Sequence, residues 1–188
     1  VLTSWPRYNL SSPETAERVG AKVVEDGVTV IRVKTLPHHK VNFIVRGIAQ
    51  LMMPRQFLRA LGRHGGRDYQ AVIVYSPPLP LAGVGSAIRR KGAFFALTIQ
   101  DVFPQNAIDL GVLRNPMLIA MFRAMERAAY RNADRILVHS ESNLDLLRRE
   151  NPRIAGKIAV LHNWVDGKSY RLPASRRWRE KYGLEDKF

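Results

Sequence analysis

Three short apolar runs, each closed by polar residues, constrain the fold of this chain more than any other feature of its sequence. The runs end at Gln100-Asp101, at His139-Ser140-Glu141 and at His162-Asn163. An apolar run of this length is typical of a strand that is buried on both faces of a parallel sheet. Ligands of open α/β sheets bind at the carboxyl ends of such strands. The pattern therefore predicts a cleft lined by these polar side chains.

Strand-like and helix-like segments alternate along the chain. Strands are predicted over residues 28–33, 70–75, 94–100, 135–139 and 157–161. Helices are predicted over residues 41–61, 81–91, 117–131 and 144–149, and we expect Pro54 to kink or divide the first of them. This alternation implies βαβ crossovers and an α/β fold with a Rossmann-like, doubly wound parallel sheet.

Length and composition bound the class of protein. A chain of 188 residues with 46% hydrophobic content has enough apolar side chains for one packed domain, which excludes a disordered chain. The absence of cysteine excludes disulfide scaffolds, thiolate zinc sites and cysteine nucleophiles. No apolar run of about 18 residues predicts a membrane span. A formal net charge of +14 favours an anionic partner such as phosphate, nucleic acid or a membrane surface.

Two tetrapeptides carry a resemblance to a known family. Asp101-x-x-Pro104 and Asn163-x-x-Asp166 lie in this order within the alternating pattern. Together they resemble the amino-terminal domain of GT-B glycosyltransferases of family 4, particularly bacterial enzymes that build capsule, O-antigen and colanic-acid-type polysaccharide. The resemblance covers Val1 to about Asp166 and implies one half of a GT-B fold, truncated at both ends. Residues 1–170 would be the amino-terminal domain without its first strand and helix, and residues 171–188 would be a linker and the start of the carboxy-terminal, donor-binding domain.

The resemblance also implies an activity. It implies a retaining enzyme that moves a hexosyl or N-acetylhexosaminyl group from a UDP- or GDP-sugar to a polyprenyl-diphosphate-linked saccharide. Such an enzyme would be cytoplasmic and peripheral on the inner face of the cytoplasmic membrane, and no further cofactor is expected. Relatives hold the donor mainly with the second domain, so we expect this fragment alone to lack turnover.

The predicted acceptor cleft centres on Asp101. The resemblance implies that Asp101 is catalytic, either orienting an acceptor hydroxyl or acting as a weak base toward it. The structural alternative is that its carboxylate caps the following turn or helix. Gln100 stands where some relatives carry histidine. The other residues that we place in this cleft are Ser76, Ser140 and Glu141.

Three further patterns have structural alternatives. Ser142 and Asp145 resemble a capping pair at a helix amino terminus, which is also a ready anion site. Asn163 and Asp166 are predicted to lie at the hinge beside the donor site, although an Asx turn entering a linker would use the same residues. Gly83 and Gly85 lack the third glycine of a dinucleotide fingerprint, so both predict close helix packing.

Histidines and basic residues complete the set of candidates. His139 and His162 are predicted to be packed or solvated side chains, and no metal site is predicted. The segment from Lys40 to Arg67 carries six basic residues and no acidic one. We predict that it faces an anionic membrane through four of them: Lys40, Arg46, Arg55 and Arg59.

Two alternatives remain for the basic segment. It is either an ordinary packed helix with a solvated basic edge, or part of a non-catalytic basic module that binds nucleic acid or an anionic membrane. Nucleic acid is the less favoured partner, because the aromatic residues do not interleave with the arginines along one strand face.

Overall fold

The structure, a computed structural model, describes residues 1–5, 20–37, 41–65, 68–167 and 177–184. Its strands are β1 (Leu2–Ser4), β2 (Lys22–Glu25), β3 (Val28–Val33), β4 (Ala71–Ser76), β5 (Phe94–Ile99), β6 (Arg135–Val138) and β7 (Ile158–Val160). Its α-helices are α1 (Phe43–His64), α2 (Ala82–Arg89), α3 (Gln105–Asp109), α4 (Pro116–Asn132), α5 (Glu141–Glu150) and α6 (Arg177–Lys181). Short 3-10 helices cover Leu79–Leu81 and Pro152–Lys157.

The main sheet has four parallel strands in the order β4-β5-β6-β7. Leu97, Ile136 and Ile158 are neighbours on β5, β6 and β7, and they are almost fully buried in one apolar cluster on one face of the sheet. Helices α4 and α5 cover this face, with Tyr130 and Leu147 among the buried contacts. The predicted Rossmann-like α/β fold is confirmed, with flanking helices on a parallel sheet.

A smaller sheet has the order β1-β3-β2. Strand β1 runs parallel to β3, and β2 runs antiparallel to it through a hairpin at Asp26-Gly27. Both turn residues have positive φ, 48° and 79°, as tight hairpins require and as Asp-Gly readily adopts. The predicted strand at residues 28–33 is confirmed, whereas β2 and the split into two sheets were not predicted.

Helix α1 begins at an asparagine cap and runs unbroken through Pro54. The Asn42 side chain accepts a hydrogen bond from the backbone N–H of Val45 at 2.9 Å. Met53 and Phe57, on either side of the proline, are both buried. Burial of two large side chains offsets the backbone hydrogen bond that proline removes, so the expectation that Pro54 divides the helix is wrong.

The two glycines of α2 differ in their surroundings. A Cβ atom on Gly85 would lie 2.3 Å from Cε2 of Phe95, so the helix approaches the sheet too closely for any side chain. The prediction of close packing is confirmed there. At Gly83 the nearest atom, Cβ of Pro54, would lie at an ordinary 3.7 Å, so the prediction is wrong for that residue.

Helix α5 begins earlier than the capping pattern predicted. Ser140 is its N-cap, and the Ser140 hydroxyl accepts from the backbone N–H of Asn143 at 3.2 Å. Ser142 therefore lies inside the first turn, and its predicted capping role is wrong. The extended backbone of Ser140 directly after β6 lets its side chain reach the helix terminus first.

A gap separates the two sheets. It forms a cavity of about 840 Å³ whose wall includes Leu2 and Thr3 of β1 on one side and Val72 and Val74 of β4 on the other. In the described part of the chain, β1 pairs only with β3, and β4 only with β5. Ile73 of β4 is 62% exposed beside this gap. Each sheet thus presents an unpaired edge to the other.

Two further observations concern the predicted linker and the length and hydrophobicity of the helices. The predicted linker from residue 171 lies outside the described residues until α6 begins at Arg177. None of the helices in the described ranges is both long enough and apolar enough to cross a membrane.

Candidate functional site

The four parallel strands end at one level, which brings the predicted cleft residues to one edge of the sheet. Ser76 pairs with Ile99, Ile99 with Val138, and Val138 with Val160. The backbone N–H of Gln100 donates to the carbonyl oxygen of Ser76 at 2.9 Å. Because the residues after these positions leave the sheet together, Gln100, Asp101, His139 and Ser140 cluster at the carboxyl edge. The edge that the sequence predicted is the edge that the strands form.

Asp101 presents an exposed carboxylate just past β5. Its backbone carbonyl accepts from the N–H of Phe103 at 2.9 Å, which turns the chain sharply. Its side chain has no hydrogen bond to any residue in the described ranges. The cap position of α3 is Pro104, which makes no side-chain cap bond, so the capping alternative for Asp101 is wrong. The carboxylate is thus available to a hydroxyl ligand.

A polar network beneath the Asp101 turn was not predicted. Arg123 of α4 donates to Gln105 at the start of α3 and, at 3.0 Å, to the Glu126 carboxylate. The Tyr130 hydroxyl donates to the other oxygen of Glu126 at 3.1 Å. Glu126 is buried, with 5% exposure, so these donors compensate its charge. The network ties α3, and with it the turn that carries Asp101, to the longest helix beside the main sheet.

Burial and the adjacent Glu126 carboxylate raise the pKa of the Tyr130 hydroxyl. The phenol therefore stays protonated and remains a donor to Glu126 at any physiological pH. The helical spacing of Arg123, Glu126 and Tyr130 is visible in the sequence as i, i+3 and i+7. Burial of the middle member, which makes the set a network, is not visible there.

Two histidines join β6 to the segment that follows β7. His139 Nδ1 lies 2.8 Å from the carbonyl oxygen of Leu161, and His162 Nδ1 lies 3.2 Å from the carbonyl oxygen of His139. With Nδ1–H donating to a carbonyl, the neutral His139 ring carries an acceptor at Nε2. That buried Nε2 has no hydrogen-bond partner among the residues described. His139 is thus a packed side chain, as predicted, while the ring of His162 lies at the surface.

The remaining cleft and hinge residues differ in accessibility. Ser76 is buried at the end of β4. The Ser140 hydroxyl caps α5, and Glu141 is exposed in the first turn of that helix. Asn163 and Asp166 follow β7 and are exposed. The aligned strand ends bring Gln100, Asp101, Ser140 and Glu141 to one edge, and the chain that carries Asn163 and Asp166 leaves β7 at the same edge.

The basic residues of α1 divide between two places. Arg46 lines a cavity of about 430 Å³ with Thr3, Gln50 and Pro77, near the carboxyl ends of β1 and β4. Arg55 and Arg59 are exposed in the second half of the helix. Lys40 lies outside the described residues.

In the ranges that are described, no three His, Asp or Glu side chains group as metal ligands would.

Comparison with known proteins identifies the family. A search of curated proteins finds no match to this chain. The model of the family described as "Glycosyl transferase 4-like domain" matches residues 2–164, which include every strand and all helices except α6 of the described structure. The match spans the parallel sheet, the Asp101 turn and the histidine pair. The chain belongs to the glycosyl transferase 4-like domain family.

Proposed function

We propose that this glycosyltransferase domain is the acceptor-side half of a retaining GT-B enzyme. The enzyme transfers a hexosyl or N-acetylhexosaminyl group from a UDP- or GDP-sugar to a polyprenyl-diphosphate-linked saccharide in bacterial surface-polysaccharide synthesis. The observation that carries the proposal is the Asp101 carboxylate, exposed at the common carboxyl end of the strands and without a partner in the described structure. A carboxylate held in this way suits an acceptor hydroxyl.

The role of Asp101 follows from what the reaction requires. The bond from sugar C1 to the diphosphate oxygen breaks and its electron pair leaves with the diphosphate, while C1 bonds to the acceptor oxygen. That oxygen must lose its proton, and before then it must be held against C1. Asp101 accepts the hydrogen bond of the acceptor hydroxyl, and the neighbouring Gln100 amide contacts the adjoining sugar oxygens. Glu141, at the amino terminus of α5, lies on the same edge and bounds the acceptor subsite.

The donor side of the reaction belongs to a second domain. Positive groups that stabilise the leaving diphosphate would come from that domain, and closure of the two domains would exclude water from the donor. Asn163 and Asp166 follow the last strand, where the chain leaves the sheet, and form the proposed hinge. Residues 1–188 alone would therefore hold an acceptor without turning over a donor.

The place of the reaction follows from the acceptor. A lipid-linked acceptor keeps the enzyme at the inner face of the cytoplasmic membrane, and the exposed Arg55 and Arg59 suit an anionic surface. This location is part of the proposal.

Turnover of the full-length protein tests the role of Asp101. We expect Asp101→Asn to lower transfer from a nucleotide sugar to a lipid-linked acceptor at least about a hundredfold, because the amide cannot take the hydroxyl proton. Asp145→Asn is the matched control, because Asp145 is also an exposed carboxylate but lies on α5. It should leave the rate within about threefold. Residues 1–188 alone should give no transfer. An Asp101→Asn rate close to that of the control, or transfer by the fragment, would contradict the proposal.

A further inference from the structure

The segment that follows Asp101 contacts α4 through one apolar and one polar interaction. The ring of Phe103 meets the ring of Phe122 edge to face, with the ring centroids 4.9 Å apart. Gln105, the first residue of α3, accepts a hydrogen bond from Nη2 of Arg123. Edge-to-face rings pack over a range of separations, whereas a hydrogen bond to a guanidinium is directional. The polar contact therefore defines the position of the segment more narrowly than the apolar one.

Helix α3 has little burial of its own to hold it in place. It is five residues long, and none of its residues is buried. Its N-cap, Pro104, makes no side-chain cap bond. Backbone bonds nevertheless join the helix to the Asp101 turn, because the N–H of Asn106 donates to the carbonyl oxygen of Val102 at 3.0 Å. A displacement of α3 is therefore passed to the turn.

The charges behind Gln105 orient a side chain better than they stabilise a fold. Nη1 of Arg123 donates to the buried Glu126 carboxylate at 3.0 Å, and the Tyr130 hydroxyl donates to the other carboxylate oxygen at 3.1 Å. A buried ion pair loses its hydration, and apolar side chains of similar volume are often as stabilising. The guanidinium is planar, so Glu126 on Nη1 sets the direction in which Nη2 points, which is toward Gln105.

We propose that Arg123 is a positioning residue of the transfer reaction, which holds α3 through Gln105 and thereby fixes the turn that presents Asp101 to the acceptor hydroxyl. This inference rests on the proposed function, which gives Asp101 its acceptor. Arg123 and Gln105 neither take a proton nor bind the sugar in this role. A displacement of about 1 Å can lower a rate about a hundredfold, so a partial release of α3 is enough to slow transfer.

Hydrogen exchange of the full-length protein tests the contact without a substrate. Gln105→Met keeps the length of the side chain but offers no oxygen to Arg123. We expect the amides of residues 105–113 to exchange at least about fivefold faster, the factor that one typical hydrogen bond represents, and those of β5 to be unchanged. Unchanged exchange over residues 105–113 would mean that the buried Val102 and Pro104 hold the turn unaided, and would overturn the proposal.

Gln105→Glu is the matched variant for this comparison. Its carboxylate keeps an oxygen as acceptor for Arg123. Both variants lose the bond from Gln105 Nε2 to Asp109 Oδ1, which is 2.6 Å long, so the comparison isolates the contact with Arg123. Exchange of Gln105→Glu should lie within about twofold of the wild type. Equally fast exchange in the two variants would assign the effect to the lost bond within α3 and would also overturn the proposal.

Turnover of the full-length protein separates positioning from stability. The donor probes are UDP-glucose, UDP-N-acetylglucosamine and GDP-mannose, and the acceptor probe is polyprenyl-diphosphate-linked N-acetylglucosamine. Gln105→Met should lower kcat about tenfold and leave KM for the donor within about twofold, because the donor is held by the second domain. Tyr130→Phe removes a donor from buried Glu126 but keeps the bond from Arg123 to Gln105. It should lower the melting temperature more than Gln105→Met and lower kcat less, and the reverse order would contradict the proposal.

Combination with Asp101→Asn shows whether the effect passes through the Asp101 carboxylate. If Gln105 acts by placing Asp101, Gln105→Met should lower the remaining rate of the Asp101→Asn protein by less than about twofold. A further tenfold loss would show that α3 acts independently of Asp101, and would overturn the proposal. An Asp101→Asn rate equal to that of the wild type would instead contradict the proposed function, and with it this role of Arg123, whatever the exchange result.

Discussion

The half-buried carboxylate of Asp134 accepts several hydrogen bonds. It takes two hydrogen bonds from Nε of Arg89, at 2.9 and 3.0 Å, one from Nη2 at 2.8 Å, and one from the backbone N–H of Phe95 at 2.9 Å. The bond to Arg89, followed by that from Phe95, lowers the pKa of Asp134 below its ordinary value of 3.8. This cluster joins α2 to the amino ends of β5 and β6.

The lowered pKa of Asp134 fixes the sign of its pH dependence. The folded state binds the proton more weakly than the unfolded state, so the contribution to stability is full above about pH 4 and falls as pH drops through the folded pKa. We expect Asp134→Asn to lower the free energy of unfolding at pH 7 and to lower it less at pH 3. Urea denaturation at both pH values measures the difference, and Asp145→Asn is the exposed control. A deficit at pH 3 as large as that at pH 7 would contradict the assignment.

The sequence predicted the positions of side chains better than it predicted their contacts. Gln100, Asp101 and Ser140 were predicted at one edge because the ends of parallel strands must align. Whether Ser140 or Ser142 is the N-cap depends on where β6 ends. A shift of two residues in that end turns a cap residue into a residue of the first helical turn. Glu126 was missed because its place in the polar network depends on the residues around it, and the residue type alone does not reveal them. Burial is a property of the assembled elements.

Helix α2 meets the main sheet at Gly85, and this contact decides how closely the two elements pack. A Cβ atom there would lie within 2.7 Å of three ring atoms of Phe95, a fully buried side chain. We expect Gly85→Ala to destabilise the domain by about 1–3 kcal/mol through overpacking, despite the better helix propensity of alanine. Thermal unfolding should show a melting temperature lower by roughly 2–12 °C.

A second helical glycine supplies the matched control for Gly85. A Cβ on Gly62 of α1 would meet nothing within 4 Å. Gly62→Ala should therefore raise stability by about 0.5–1 kcal/mol, because only the propensity term changes. The opposite order of the two variants would contradict the close approach of α2 to the sheet.

Periodicity predicted the strands of the main sheet and its long helices to within a few residues, because core burial and sequence pattern agree there. Strand β2 was missed, since Lys22–Glu25 is short and almost wholly exposed and so shows no apolar period. Its Asp26-Gly27 turn was the available signal. Pro54 does not divide α1, because local propensity yields to packing on both sides of the residue.

Two sheet edges, those of β1 and β4, face each other across a cavity, and no described strand pairs with either of them there. The resemblance implies a first strand and helix ahead of β1, and the cavity of about 840 Å³ between β1 and β4 lies where such a strand would hydrogen-bond to both. Unpaired edges and apolar sheet faces are liabilities that proteins normally cover. We therefore propose that a further strand of the full-length protein occupies this gap and joins the two sheets.

Lysine substitutions at exposed positions test this arrangement in residues 1–188 and in the full-length protein. Ile73 is 62% exposed in residues 1–188, so Ile73→Lys should change the stability of this chain by no more than about 0.5 kcal/mol. In the full-length gene product the added strand and helix would bury that position, and the same change should then cost about 2 kcal/mol or more, because a charge would lose its water. Met117→Lys, at an 81% exposed position on α4, should be neutral in each length. If urea denaturation shows that Ile73→Lys is neutral in the full-length protein as well, no additional segment covers β4.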